Sequence, residues 1–110
     1  MNWKNYIRAQ DVVKLMENWN EQLPLKGTEQ EKDFFPVVRL YDPFSNAQWL
    51  VTEADEDGLA FGLAHILEWE LGYFDLGEIF DMKIVGIRRM QQDLTFNPDR
   101  PLSQYAAEAF

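Results

Sequence analysis

The sequence predicts an α+β fold in a single domain over residues 1–110: an antiparallel meander of four to five strands, with an N-terminal helix and short C-terminal helices. Apolar residues recur at helical spacing near both ends of the chain, whereas the period between residues 37 and 74 is that of a strand. Turn residues divide this central region into short runs. The 46 % apolar content of the 110 residues suffices for one packed core.

The first element expected is a helix over residues 11–22, with Asp11 as its N-cap. Leu23 and Pro24 end it, and the polar residues 24–33 follow as an exposed loop.

The pattern of the central region predicts four strands separated by turns, at residues 37–41, 47–53, 59–65 and 70–74. Asp57-Gly58 favours a hairpin turn, because glycine tolerates a positive φ. Ala60, Gly62 and Ala64 put three small side chains on one face of the third strand, which indicates a close neighbour such as a helix or an aromatic ring.

After the fourth strand, Asp75 and Glu78 have the spacing of a capping box, which predicts a short helix over residues 76–81. Residues 83–87 and 93–96 are further strand candidates, and residues 101–109 have helical spacing. We expect the helices to cover one face of the sheet.

Composition excludes several classes of protein. There is no cysteine, which rules out disulfides, thiolate zinc sites, iron–sulfur clusters and a cysteine nucleophile. The N-terminus has no apolar run of signal-peptide length, and the longest uncharged stretch, residues 58–67, is about half of a membrane span. We therefore expect a cytoplasmic protein.

The formal charge of −9 comes from one part of the chain. Residues 1–41 and 88–110 each contain equal numbers of acids and bases, whereas residues 42–82 contain no lysine or arginine. The ten acids of this segment are Asp42, Glu53, Asp55, Glu56, Asp57, Glu68, Glu70, Asp75, Glu78 and Asp81. Such a surface repels nucleic acid and anionic membranes, so the expected partner is a basic protein surface.

Motifs for catalysis or cofactor binding are weak. Residues 53–58 place acids at positions 1, 3 and 5 of a calcium loop and glycine at position 6, but Ala64 stands where the bidentate glutamate belongs. His65 is the single histidine, and Ser45 and Ser103 lack a neighbouring base in sequence. We expect no enzyme, no metal and no cofactor. Arg88 and Arg89 are expected to form ion pairs with Asp93 or Glu78.

The candidate site is therefore a partner-binding surface. Its residues are Asp42, Glu53, Asp55, Glu56, Asp57, Glu68, Trp69 and Glu70. Strand alternation places Glu53 on the face of Trp49 and turns Trp69 away from Glu68 and Glu70.

Four segments of the central region resemble, in order and spacing, the family known as domain of unknown function 2958. They are Trp49–Asp55, Phe61–Leu63, Glu70–Ile79 and Asp93–Pro98, and the likeness covers residues 23–98. The sequence departs from the family pattern at Asp75 and Gly77, where the family has serines. The resemblance implies an origin on plasmids and other mobile elements and no site residues.

Three hypotheses follow. The first is a non-enzymatic inhibitor of the anti-restriction or anti-CRISPR kind, whose acidic surface mimics DNA in a basic nucleic-acid-binding groove. The second is a carboxylate-based metal-binding module or metal-dependent enzyme using Glu53, Asp55, Asp57 and His65. The third is a housekeeping domain whose acids serve solubility.

Overall fold

The structure, a computed structural model, describes residues 2–84 and 87–109. It confirms the α+β fold, with a mixed order of helices and strands along the chain. The helices are α1 (Ala9–Gln22), α2 (Leu76–Asp81) and α3 (Leu102–Ala109). The strands are β1 (Val38–Tyr41), β2 (Gln48–Ala54), β3 (Leu59–His65), β4 (Trp69–Asp75), β5 (Lys83–Ile84), β6 (Ile87–Arg88) and β7 (Gln91–Gln92).

The main sheet is an antiparallel meander extended by one late strand. Its order is β4-β3-β2-β1-β7, and β5 and β6 form a separate pair. The prediction of a strand at residues 93–96 is wrong, because Asp93 accepts hydrogen bonds from the amide and the hydroxyl of Thr95 and these bonds close a turn there. The strand that completes the main sheet is β7. The strand predicted at residues 83–87 is two short strands, with residues 85 and 86 outside the described part.

The N-terminal helix is confirmed, but it begins earlier than predicted. Arg8 occupies the N-cap position, and its carbonyl accepts the amides of Asp11 and Val12. Asp11 is therefore a first-turn residue and not the cap. Its carboxylate accepts instead from Arg8 Nε at 3.0 Å and from Gln92 Nε2 at 2.7 Å, which ties α1 to β7.

Helices cover both faces of the main sheet, so the prediction that they share one face is wrong. Val12 and Leu15 of α1 pack with alternate residues of the central strands, such as Val51. Leu102 of α3 packs on the other face against Leu50. The physical reason is that β2 is apolar at consecutive positions, which leaves both faces of the sheet in need of cover.

A β-bulge interrupts β2 at Thr52. Val51 pairs with Gly62 and Glu53 pairs with Phe61, so the extra residue moves Glu53 to the face of Phe61 and α3. The prediction that Glu53 shares the face of Trp49 is wrong for this reason. The carbonyl of Thr52 accepts a hydrogen bond of 2.9 Å from Asn18 Nδ2, which joins the bulge to α1.

The bulge also explains the small residue at the centre of β3. A Cβ built on Gly62 would lie 2.0 Å from the carbonyl oxygen of Leu50. The close neighbour of Gly62 is thus the backbone of β2, whereas Ala60 and Ala64 on the same face pack in the cluster that holds Leu15 of α1 and the ring of Trp49, the kind of neighbour that the sequence predicts.

Two local predictions are confirmed. Gly58 turns the β2–β3 hairpin with φ +94°, and the ring of Trp3 lies against it. Asp75 caps α2 by accepting from the amide of Glu78 at 3.1 Å. Among residues 2–84 and 87–109, no helix is long and apolar enough to span a membrane.

Candidate functional site

Asp42, the first acid of the segment, is part of the folded framework. It is 7 % exposed and accepts a bidentate hydrogen bond from Arg89, with a distance of 3.0 Å from Nε. It also accepts from the Phe44 amide and the Ser45 hydroxyl. Asp42 therefore organises the β1–β2 turn, and Arg89 pairs with it and not with the expected Asp93 or Glu78.

The hairpin acids divide into one structural and two exposed residues. Asp55 accepts the amides of Asp57 and Leu59, both at 2.9 Å, and so holds the turn. Glu56 is exposed and forms an ion pair with Lys4, and Asp57 is exposed. This turn presents fewer free carboxylates than its sequence suggests.

The β3–β4 connection presents apolar side chains among acids. Leu67 is 95 % exposed and its neighbour Ile66 is 61 % exposed. Together with Glu68, Glu70 and Ala64 they border a depression of about 270 Å³. We call residues 66–70 the hairpin tip.

Trp69 lies on the opposite side of this hairpin from Glu70. Its ring lies 4.6 Å from that of His65, its cross-strand partner, and packs toward the cluster of Leu50 and Leu63. Glu70 pairs with Ala64 and points to the other face. Trp69 is consequently half-buried and supports the tip, whereas Glu68 and Glu70 are exposed together with Ile66 and Leu67.

The hairpin tip continues into a free sheet edge. Within the described residues, β4 has a strand neighbour on one side only, which is β3. Leu71 and Tyr73 are both about half exposed on this strand. An edge of this kind offers unpaired backbone donors and acceptors to a partner chain.

Glu53 is the acid with the least ordinary environment. It is 3 % exposed, and its carboxylate accepts a hydrogen bond of 3.1 Å from the hydroxyl of Thr52. Burial raises the pKa of Glu53, while the positive charge of Lys26 opposes that rise. Because a charged group is costly to bury, an acid kept in this position has a larger desolvation cost than the surface acids.

Lys26 stands above the aromatic side chains next to Glu53. Its Nζ lies 4.0 Å from the ring centre of Phe61 and 5.2 Å from that of Tyr73. Within the described part of the chain, Lys26 forms no ion pair with a carboxylate. A cation over two rings is stabilised by their π electrons, which gives Lys26 a defined position without a salt bridge.

Glu53 and Lys26 border one cleft of about 310 Å³, which we call the Glu53 cleft. Gln22, Phe34, Thr52, Phe61, Leu71 and Leu102 also line it, with the ion-paired or hydrogen-bonded Glu31, Lys32, Asp33 and Ser103 at its border. Its walls come from α1, the loop after it, three strands and α3. No sequence pattern joins these segments.

The residues of the metal hypothesis are not gathered at one point. Asp55 is committed to the hairpin turn, Glu53 lies in its own cleft, and His65 Nδ1 contacts the carbonyl oxygen of Asn46 at 2.9 Å. Among the described residues no three side chains of His, Cys, Asp or Glu are placed to hold a metal ion.

Sequence reasoning missed the apolar part of the surface and the cation of the cleft. The adjacent Ile66 and Leu67, between two predicted strands and next to acids, were a signal that could have been used. Lys26 carried no such signal, because it is one polar residue within a polar loop.

Comparisons with curated proteins and with solved structures give no match. A family model does match, over residues 7–110, and so extends the resemblance to the N-terminal helix and the C-terminal helix. The chain belongs to the family described as protein of unknown function DUF2958.

Proposed function

We propose that this protein is a non-enzymatic binding module that engages a basic protein surface through the hairpin tip and the free edge of β4. The observation that carries the proposal is Leu67, a leucine 95 % exposed beside Ile66 and bordered by Glu68 and Glu70. Exposed apolar side chains with a polar rim are typical of surfaces that bind other proteins.

Backbone pairing supports the choice of the β4 edge. An extended segment of the partner can add to a free edge strand, gaining affinity from main-chain hydrogen bonds and specificity from side chains. Leu71 and Tyr73 would supply apolar contacts on one side of such a strand, and Glu70 would meet a lysine or arginine on the other.

Charge supports the choice of a basic partner. No lysine or arginine occurs between residues 42 and 82, so acids near the tip are not neutralised by neighbours in sequence. Four of the ten acids, Asp42, Glu53, Asp55 and Asp75, have structural roles or are buried. The six remaining acids are fewer than a protein that mimics a long DNA segment would present to its partner.

We retain from the first hypothesis the class of partner, a basic groove that handles nucleic acid, as in inhibitors of restriction or CRISPR enzymes. The acidic rim would occupy phosphate positions and the apolar tip would anchor the contact. Electrostatic steering of this kind weakens as salt rises.

The test is capture of partners from the native host at low and at high salt, with the purified partner then titrated by calorimetry. The double variant Glu68→Lys/Glu70→Lys should lose binding at low salt through charge repulsion. Leu67→Ser should lose binding at both salt concentrations, because it removes the apolar contact.

A matched control is Glu17→Lys/Glu29→Lys, which changes the net charge equally at exposed positions on α1 and the following loop. It should bind as the unmodified protein does. Equal losses in this control and in the tip variants would mean that overall charge alone governs binding, and the proposed surface would be wrong.

A further inference from the structure

The Glu53 cleft holds two opposite charges that do not pair with each other. Glu53 has the hydroxyl of Thr52 as its hydrogen-bond partner, and Lys26 rests on the ring of Phe61. Both line the same cavity of about 310 Å³. Small-molecule sites begin at about this volume, with mainly apolar walls and a few converging polar groups.

Other charged groups at the cleft are already satisfied. Lys32 pairs with Glu21, Glu31 accepts from the amide of Gly27, and Asp33 accepts from the amide and hydroxyl of Ser103. Among the described charged residues that line the cleft, Lys26 is the cation without an ion pair, and Glu53 is the buried carboxylate. Glu53 is 3 % exposed and lines the cleft, and one hydrogen bond, from the hydroxyl of Thr52, leaves further acceptor sites on its carboxylate.

We propose that this cleft binds a small zwitterion of the α-amino-acid type with an apolar side chain. The ligand's ammonium would donate to the Glu53 carboxylate, and its carboxylate would accept from Lys26. The side chain would lie against Phe61, Leu71 and Leu102. A zwitterion matches both charges at once, whereas a simple amine or a simple acid leaves one of them unmatched.

Local geometry favours a site that can adjust to a ligand. Lys26 is followed by Gly27, whose φ of +78° places it in the conformation that glycine adopts readily. The neighbouring loop residues are mostly exposed. The Lys26 side chain is a flexible four-carbon stem, so its ammonium can turn from the aromatic rings toward a carboxylate while the backbone stays in place.

The experiment is an NMR titration of amide resonances with L-leucine and with two probes that each carry half of its charge. These probes are 3-methylbutylamine, which lacks the carboxylate, and 4-methylpentanoate, which lacks the ammonium. Leucine should shift the amides of Lys26, Thr52 and Ser103. Each half-probe should bind about tenfold more weakly, the usual effect of losing one charge-assisted hydrogen bond.

Two variants and a control test whether Glu53 and Lys26 bind the two charged groups of leucine. Glu53→Gln and Lys26→Met should each weaken leucine binding about tenfold. Lys14→Met is the matched control, because Lys14 is an exposed lysine on α1 that does not line the cleft, and this variant should bind leucine unchanged. The dispersion of the amide spectrum verifies that each variant is folded.

Three results would overturn the proposal: leucine leaving the cleft amides unshifted, the amine binding as tightly as leucine, or leucine binding equally to Glu53→Gln and the unmodified protein. The site shares Leu71 with the β4 edge, but none of its variants lies at the hairpin tip or on β4. Failure here would leave the proposed protein-binding surface intact, and loss of partner binding in the tip variants would leave this site intact.

Discussion

At the scale of residues, Asp42 and Glu53 show how differently two acids of one segment behave. The hydrogen bonds from Arg89 lower the pKa of Asp42 from 3.8 to about 2, although its burial acts in the opposite direction. Burial raises the pKa of Glu53, whose neighbour in the chain, Thr52, gives it one hydrogen bond. The net charge of the segment therefore does not predict the pKa of either residue.

For Asp42, a lowered pKa means that its ionised form favours the folded state. Its contribution to stability is fully present above pH 3.8 and disappears as the pH falls through about 2. Asp42→Asn should therefore have a smaller free energy of unfolding than the unmodified protein at pH 6, and the difference should shrink between pH 3.8 and about 2. Urea denaturation across this pH range measures it.

The control for Asp42 is Asp57→Asn, at an exposed turn position, which should change the free energy of unfolding at pH 6 by less than about 0.5 kcal/mol. A constant difference between Asp42→Asn and the unmodified protein down to pH 2 would contradict the ionic role of Asp42.

For Glu53 the pKa shift is in the opposite direction, and so is its effect on the pH dependence of stability. Because the folded-state pKa is raised above 4.5, the folded protein favours the protonated form, and stability is lost as the pH rises through the folded-state pKa. Glu53→Gln should be more stable than the unmodified protein at pH 7, and this gain should vanish below pH 4.5. Thermal unfolding at the two pH values measures the difference.

Exposed Glu17 on α1 supplies the control for this measurement, since Glu17→Gln should change stability at pH 7 by less than about 0.5 kcal/mol. A Glu53→Gln variant that is destabilised more strongly at pH 7 than at low pH would mean that the carboxylate is stabilised by its surroundings, contrary to this assignment.

At the scale of elements, the bulge in β2 decides what the sheet presents. The hairpin turns and the capped helix α2 follow from neighbours in sequence, and those elements were predicted with nearly correct bounds. The bulge depends on how β2 pairs with β3, and it moves Glu53 to the other face. The predicted alternation of side chains between the two faces of the sheet was correct along β2 up to Val51 and wrong after it.

Gly62 and Gly72, which pair across β3 and β4, test the bulge. A Cβ at Gly62 meets the carbonyl oxygen of Leu50 at 2.0 Å, whereas one at Gly72 meets nothing within 4 Å. Gly62→Ala should lower the free energy of unfolding by about 1–3 kcal/mol or more through overpacking. Chemical denaturation is the measurement.

Gly72→Ala is the matched control for that substitution. It should leave stability within about 1 kcal/mol of the unmodified protein, with a small gain expected from the less flexible unfolded chain. If both variants lose the same amount, the cost would come from alanine in a strand and not from the close approach at the bulge.

At the scale of the whole molecule, the N-terminal segment completes the core. Trp3 is 2 % exposed, lies against Gly58 of the β2–β3 turn and donates from Nε1 to the Glu56 carbonyl at 3.2 Å. Tyr6 stacks on Phe80 of α2 with ring centres 5.2 Å apart. The start of the chain thus joins elements more than fifty residues away.

Trp3→Ala should therefore cost about 3–5 kcal/mol, the range for a fully buried tryptophan. Val13→Ala is the control, because Val13 on α1 is 56 % exposed and its loss should change stability by less than about 0.5 kcal/mol. Both values come from urea denaturation at neutral pH. A small effect at Trp3 would show that the N-terminal segment is dispensable for the core.

The sequence by itself determined the fold class, the order of the hairpins and the cap of α2. Each of these follows from interactions between residues a few positions apart: the period of apolar residues, glycine at a turn, and Asp75 three residues before Glu78. Only the tertiary structure decided the bulge, the cover of both sheet faces and the pairing of Asp42 with Arg89, 47 residues apart. The Glu53 cleft belongs to the second group, because burial and long-range contacts depend on which distant segments meet, and a local pattern does not encode that.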